Sequence, residues 1–560
     1  MATVIRTIGA KGSDVYDSTG DARVDLSVRL VRGADGEDLA ARIRAVAALD
    51  LVDAFVMAFH SRNVRGGKGE RQIFHLLYAS LLGAHPGLAL DLLDLVPHYG
   101  SWRDVVRLSR EAADYDCFDV DAVAVRKRLL EIIRAQLKAD QETPVGASIS
   151  LLAKWMPREG SEMDVLAKRF AAQLFPDVTP VGTQRKQYRQ LIAGLNRRLD
   201  TVETHMCGGA WSTIKPAGLP GRAGKLYARA FLNLKGSSGE EVRCPADADR
   251  VACAEHFKEH FAKAAKGEAV VHGSKTVFPH EVVKKARSGG LATSERDQLT
   301  AVWSSMLGDL MAGGGLGDGI IMSDFSGSMQ SAGTQGDTPY WVSMALGILG
   351  SAACSPAFRG RLMTFDSTPT WHTFPSADLF ECLATIDSRV SQGTSTDFQA
   401  AMDLVLKDLK AARVRPGQEP KFLLVLTDMN WDQACASNGI SEYTGNTYRH
   451  HFKTKPWSTH LEMIRESFKR AGEDMHGEGQ GLTPPQIVIW NLAANPTDMH
   501  ATANEPGVSL LSGWSPTQFR ILQKEGPRSI TPLETLRIEL DDPQYDRIRE
   551  RIAAFQKKAA

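Results

Sequence analysis

Residues 319–329, Gly-Ile-Ile-Met-Ser-Asp-Phe-Ser-Gly-Ser-Met, constrain the fold of this chain more than any other stretch. A short apolar run stops at Asp324 and passes into Ser326 and Ser328. Apolar runs of this length that end in small polar residues read as buried parallel strands opening into a loop. The loop supplies one carboxylate and two hydroxyls, hard oxygen donors suited to Mg²⁺ or Mn²⁺ rather than to zinc. Ser-Gly-Ser is also an ordinary turn, so the loop has to be weighed with its company. Residues 392–397, Gln-Gly-Thr-Ser-Thr-Asp, form a second hydroxyl-rich loop. Residues 421–427, Lys-Phe-Leu-Leu-Val-Leu-Thr, form a second apolar strand that ends at Asp428. In an open α/β sheet, ligands gather at the carboxyl ends of the strands.

This order of Asp, Ser, Ser, Thr and Asp resembles the metal-ion-dependent adhesion site of the von Willebrand factor A family. The resemblance implies that Asp324, Ser326 and Ser328 fill the first loop, Thr396 the second and Asp428 the third. Thr394 competes with Thr396. Thr396-Asp397 before Phe-Gln-Ala-Ala-Met is the better match to the family's Thr-Asp at a helix start. The resemblance further implies a bound Mg²⁺ or Mn²⁺ with one coordination position open to a carboxylate from a partner.

A chain of 560 residues is too long for one core and implies two or three domains. Lys plus Arg (66) equals Asp plus Glu (66), so net charge selects no partner. The distribution is uneven: residues 151–290 hold 23 Lys/Arg against 14 Asp/Glu. The seven cysteines show no CxxC or finger spacing, which argues for reduced thiols and a cytoplasmic protein. There is no long apolar N-terminal region and no run near the roughly 18 apolar residues of a membrane span, so a membrane role is not expected.

Residues 1–35 read as an extended segment with a turn at Asp17-Ser-Thr-Gly-Asp21. From Asp38 the apolar residues recur at helical steps (Leu39, Ile43, Val46, Leu51). Modest helices with little strand signal continue over most of the first half, the pattern of an α-solenoid. Ala312-Gly-Gly-Gly-Leu-Gly317 is a flexible joint. Strands and helices then alternate, which predicts a doubly wound α/β sheet. The expected organisation is multidomain: an all-α helical domain over residues 1–311, the joint at 312–317, and a Rossmann-like α/β domain over 318–560. Residues 432–456, rich in Asn, Tyr, Thr and His, read as a loop insertion near Asp428.

Several segments resemble the DUF2828 family: Asp17-Ser-Thr-Gly-Asp21, Arg62-Asn-Val-Arg-Gly-Gly-Lys-Gly-Glu-Arg71, Val96-Pro-His-Tyr-Gly-Ser-Trp102, Ala153-Lys-Trp-Met-Pro157, Phe278-Pro-His280, Thr427-Asp-Met-Asn-Trp-Asp432 and Ile489-Trp-Asn-Leu492. That family is similar in plan to the Ro/TROVE ribonucleoproteins, in which a ring of HEAT-like helical hairpins is closed by a von Willebrand factor A domain. The resemblance implies binding of small structured RNAs or RNA ends. Candidate phosphate contacts are Arg185, Lys186, Arg189, Arg197, Arg198, Lys284, Lys285 and Arg287, with Tyr188 to stack on a base. The competing reading of each cluster is a solvated helix face.

The segment Arg65-Gly-Gly-Lys-Gly-Glu-Arg71 lacks Gly-x-x-x-x-Gly-Lys-Ser/Thr and follows no strand, so it is not a nucleoside-triphosphate loop. It either holds an RNA phosphate through Arg62, Arg65 and Lys68, or is a helix–helix turn whose glycines take positive φ. His256 and His260 with Glu255 and Glu259 lack His-Glu-x-x-His order and read as a surface helix. His98, His450 and His451 have no partner at ligand spacing, and no Ser-His-Asp or Cys-His set is recognisable, so no catalytic residue is assigned. Three functions follow: a non-enzymatic RNA-binding ring protein bearing a metal site, a metal-dependent protein-interaction scaffold, and, weakest, a Mg²⁺-dependent hydrolase.

Overall fold

The structure is a computed structural model describing residues 4–9, 14–111, 119–271, 276–331, 336–365, 369–387, 398–431, 440–444, 447–451, 460–525 and 530–559. The chain divides into two compact units. One comprises Met1–Arg42, Val277–Gly289 and Leu299–Asp541; the other comprises Ile43–Thr276, Gly290–Gln298 and Asp542–Ala560.

The first unit is built on a sheet. Two short strands, β1 (Arg6–Ile8) and β2 (Asp14–Tyr16), pair antiparallel at the N-terminus. The main sheet contains β3 (Gly319–Asp324), β4 (Arg361–Phe365), β5 (Thr370–Thr373) and β6 (Phe422–Thr427). A hairpin follows, β7 (Ile440–Thr444) with β8 (Thr447–His451), and then β9 (Gln486–Asn491) and β10 (Val508–Ser512) complete the sheet. Its spatial order is β10-β9-β6-β3-β4-β5. All neighbours are parallel except β4 and β5. The chain leaves β3 toward β4 on one side and returns on the other side as β6. The crevice between the carboxyl ends of β3 and β6 is therefore the topological switch point where ligands bind in such sheets.

Residues of β3, β6, β9 and β10 are buried throughout, so both faces of the sheet are covered, as continuous apolar strands demand. Helix Pro339–Ala353 packs on β3, β4 and β6, and Ile321, Leu346, Leu362, Leu424 and Trp490 share one core. Each fully buried aliphatic side chain of this kind contributes roughly 1.5–3 kcal/mol.

The second unit is helical among its described residues, apart from an isolated β-bridge. Consecutive helices pack on one another: Leu51–Arg62 with Arg71–Ala84, Trp102–Glu111 with Ala122–Glu142, and Asp164–Leu174 with Val181–Leu199. An aromatic cluster of Phe55, Phe59, Phe74, Tyr78 and Tyr99 knits the first of these. Phe231 stacked on Phe257 at 4.6 Å centres another core. No helix among the described residues is long and apolar enough to cross a membrane.

The α-then-α/β plan agrees with the sequence reading, but its limits differ. The Gly-rich joint does not separate the units, because Trp303, Met306 and Leu310 of helix Thr293–Ala312 belong to the core of the sheet unit. The C-terminal residues leave the sheet unit, because Tyr545 and Arg551 bond to the helical unit. The N-terminus is not simply extended. Asp21 caps helix Ala22–Arg29, and that helix is tied to the sheet by Asn491 Nδ2 donating to the Val28 carbonyl at 2.9 Å. Helices Ala248–Ala265, Pro279–Ala286 and Thr293–Ala312 continue the helical stretch expected before residue 312, and the first of them carries the predicted surface helix at residues 255–260. Part of the expected loop insertion is the β7–β8 hairpin; the rest of it lies outside the described residues.

Candidate metal centre

Strand β3 delivers Asp324 at its carboxyl end, and β6 ends one residue before Asp428. The two strands are neighbours, with Ser323 opposite Leu426, so both carboxylates arrive at the switch point. Asp324 is 0% exposed and Asp428 2%. The Ser326 N–H donates to Asp324 Oδ1 at 2.9 Å, and the Thr427 hydroxyl donates to Oδ2 at 3.0 Å. The Ser326 and Ser328 hydroxyl oxygens lie 3.1 Å apart. Thus two carboxylates and two hydroxyls come together from the first and third predicted loops. The second loop, with Thr394, Thr396 and Asp397, lies outside the described residues.

Burial, and then the negative charge of Asp428, push the Asp324 carboxyl up to about 7 against the hydrogen bonds from Ser326 and Thr427. A negative charge beside a buried acid disfavours that acid's ionisation. A divalent cation among these oxygens would remove that penalty, and the donor set is the hard-oxygen kind that Mg²⁺ and Mn²⁺ take. The residues present therefore fit such an ion. Among the described residues no group of three or more His, Cys, Asp or Glu side chains is placed to hold a metal.

The third loop is shaped by residues that motif reading did not single out. Thr427 Oγ1 accepts from the Met429 N–H and from the Trp431 indole N–H, each at 3.1 Å. Met429 adopts φ of 68°, which a non-glycine residue holds only when its surroundings dictate it. The surroundings here are His500, whose Nε2 donates to the Met429 carbonyl at 2.8 Å, and Trp431, stacked on His500 at 3.8 Å. Burial lowers His500 to about 4, so the imidazole is neutral. The other face of Trp431 stacks on Phe398 at 4.3 Å. Phe398 opens helix Phe398–Ala411, immediately after the second loop. The available signal was Thr427-Asp-Met-Asn-Trp-Asp432, one of the segments carrying the family resemblance.

The predicted RNA contacts fare differently. Tyr188 is 2% exposed and donates to the Pro157 carbonyl at 2.7 Å, so its ring belongs to the helical core and does not present a face to a base. Arg62 is buried and paired with Asp104 at 2.8 Å, and Lys68 is 1% exposed. Arg65 is exposed and donates to the His98 carbonyl. Residues 62–71 form a helix–helix turn, with Gly69 at φ of 71° and Glu70 preceding helix Arg71–Ala84. Gly66 and Gly67 do not use positive φ; a Cβ on Gly67 would lie 2.1 Å from the His60 carbonyl oxygen. Arg198 caps a helix end by donating to the carbonyls of Asp140 and Thr143. Arg185 and Arg189 pair with Glu159. Lys186 and Arg197 are exposed. In the sheet unit, Lys284 pairs with Asp337 at 2.7 Å, Arg287 lies over Trp341, and Lys285 is half-buried. Glu255, His256 and Glu259 lie exposed on helix Ala248–Ala265, as expected of a surface helix, whereas His260 is half-buried.

Comparison with known proteins adds three findings. Residues 318–549 match the family model "Domain of unknown function (DUF7788)", which is not the DUF2828 family expected from the motifs. An uncharacterized protein of Acanthamoeba polyphaga mimivirus is 26% identical over 529 residues, covering 90% of this chain and 82% of that protein. The crystal structure of the Ro (RSR) protein of Deinococcus radiodurans is similar to this chain at 14% identity with a TM-score of 0.42, covering 90% of this chain and 99% of that one.

Proposed function

We propose that the protein is a non-enzymatic, divalent-cation-dependent binding protein that captures an acidic group of a partner protein. The observation that carries this reading is the buried Asp324 carboxylate, clamped by two donors next to Asp428 and the hydroxyl oxygens of Ser326 and Ser328, 3.1 Å apart, at the sheet's switch point. Asp324 and Asp428 supply negative charge, and Ser326 and Ser328 supply neutral oxygens. Thr427 holds Asp324 against rotation. Bound there, Mg²⁺ or Mn²⁺ offers a Lewis-acidic position for a partner carboxylate. No general base or nucleophile is assigned beside these residues, so binding is favoured over hydrolysis. The free thiols of Cys207, Cys244, Cys253, Cys354 and Cys382 suit a reducing cytoplasm.

Mn²⁺ binding followed by electron paramagnetic resonance tests this reading. One tightly bound ion in the wild-type protein, and none in Asp428→Ala, is the expected result. Equal binding by both proteins, or none by either, would sink it. Proteins retained on the immobilised chain in Mg²⁺ and released by EDTA would identify the partner.

A second reading, RNA binding by the helical unit, has one observation in its favour. Lys186 and Arg197 are exposed on helix Val181–Leu199. Eleven residues apart, they share a helix face and stand roughly 16 Å from each other along the axis. Loss of RNA affinity and a shallower salt dependence in the doubly substituted Lys186→Ala/Arg197→Ala protein would favour it.

A further inference from the structure

The helical unit contains a second unbalanced charge cluster, of opposite sign. Arg71 opens helix Arg71–Ala84, and Arg103 and Arg107 sit one turn apart on helix Trp102–Glu111. Four guanidiniums, those of Arg62, Arg71, Arg103 and Arg107, face two carboxylates, Asp104 and Glu111. Both carboxylates are already engaged. Asp104 pairs with Arg62 at 2.8 Å and lies 3.8 Å from His75; Glu111 bonds His75 at 2.7 Å and lies 3.9 Å from Arg107. Arg71 and Arg103 are half-buried, and among the described residues neither has an ion-pair partner. Burial disfavours the charge on each. The cations around them disfavour it further: Arg107, Arg103 and Arg62 act on Arg71, and Arg107, Arg222 and Arg62 act on Arg103, with Asp104 opposing.

An aromatic surface adjoins this cluster. The Arg103 guanidinium lies 5.0 Å from the centroid of the half-buried Trp155 ring, and the Lys154 ammonium lies 5.8 Å from it. Lys154 is already paired with Glu203 at 3.0 Å. Guanidiniums match the oxygens of a phosphate in a planar fork, and several of them suit an anion with more than one charge better than a lone carboxylate. An indole beside them is a stacking surface for a planar base.

We propose that Arg71, Arg103 and Arg107, with Trp155 at their edge, form a binding site for the phosphate group of a nucleotide whose base lies against Trp155. The site needs no cation and uses none of the residues named in the two readings above. A free nucleotide and a nucleotide within a single strand carry the same chemistry here.

The test uses the full chain, with calorimetric titration and thermal unfolding against inorganic phosphate, AMP and a short single-stranded oligoadenylate. AMP is expected to bind and to raise the melting temperature. Arg71→Gln/Arg103→Gln should weaken AMP by at least about ten-fold, and Trp155→Ala should weaken it by about ten-fold while leaving inorganic phosphate unchanged. An oligomer bound more than about ten-fold more tightly than AMP assigns a strand, and equal affinity assigns a free nucleotide. No response to AMP, an unchanged affinity in the double variant, or AMP bound no more tightly than phosphate overturns the proposal. A control separates a ligand site from a structural ion network. Without ligand, Arg71→Gln should melt at or above the wild type because repulsion is relieved, and a clear fall would reject an unfilled anion site.

Discussion

The Thr427 hydroxyl donates a 3.0 Å hydrogen bond to Oδ2 of Asp324, joining the carboxyl ends of two adjacent strands whose residues lie 103 positions apart in the chain. The same oxygen accepts from the Met429 and Trp431 N–H groups. Thr427 therefore fixes both the orientation of Asp324 and the path of the Asp428 loop. Thr427→Val keeps the shape and removes all three bonds. It should weaken Mn²⁺ binding by about ten-fold, as loss of a ligand's supporting hydrogen bond does. It should also cost about 1–3 kcal/mol of stability, because the buried donors lose their acceptor. Mn²⁺ titration and urea unfolding check the two effects separately. Wild-type affinity in this variant would remove Thr427 from the site.

Asp324→Asn separates ligation from stability. The buried carboxylate next to Asp428 is a liability in the metal-free protein, so the neutral amide should raise metal-free stability by about 1–3 kcal/mol. The same variant should lose cation binding, because the amide lacks the charge. In excess Mg²⁺ the order should invert, with the wild type melting higher. Equal shifts in EDTA and in Mg²⁺ would show that Asp324 and the cation do not interact.

Local pattern and long-range contact account for what the sequence did and did not disclose. Asp324, Ser326, Ser328 and Asp428 were legible because each sits where an apolar strand stops, and their oxygens declare their chemistry. Trp431 and His500 were not, since their stack joins loops distant in the chain. Arg62 looked like a phosphate ligand because its partner Asp104 lies 42 residues on. Tyr188 is different. It shares one buried stripe with Gln184, Ile192 and Leu195 at helical spacing, so its place in the core could have been read from periodicity. The unit limits were hidden for a third reason. Tyr545 joins the helical unit through His60 and Asn63, and nothing near it in the sequence announces that.

His75 gives the helical unit a pH signature. Burial opposes its charge, but Asp104 and Glu111 outweigh burial and raise its pKa. Burial likewise opposes the Asp104 carboxylate, yet His75 and Arg62 hold it well below the usual carboxylate range. A raised histidine stabilises the fold below its unfolded value near 6.5 and loses that contribution as pH climbs through the raised value. A depressed aspartate stabilises above about pH 4 and loses its contribution as pH falls further. The pair is thus strongest between about pH 4 and 6.5. His75→Leu should destabilise by about 2–4 kcal/mol at pH 5.5, less at pH 8.5, where the wild-type imidazole has lost more of its charge. Chemical denaturation at both values measures the difference. A penalty that grows with pH would contradict the pairing.

The turn at residues 62–71 offers a sharp steric test. A Cβ on Gly67 would lie 2.1 Å from the His60 carbonyl oxygen and 2.9 Å from the Asn63 Cβ. The carbonyl accepts the Lys68 N–H at 3.1 Å. Asn63 is held by Gln544 and Tyr545, so neither neighbour can retreat cheaply. Gly67→Ala should therefore cost several kcal/mol, beyond the roughly 1 kcal/mol of an ordinary unfavourable backbone substitution. Gly236→Ala is the matched control. It has φ of 65° but nothing within 4 Å of its Cβ, so only backbone strain of about 1 kcal/mol is at stake. Thermal unfolding of the two variants should show a large fall for position 67 and a small one for position 236. Similar small falls would mean that the turn has room, and that a loop open enough to close on a phosphate is the better description of residues 65–71.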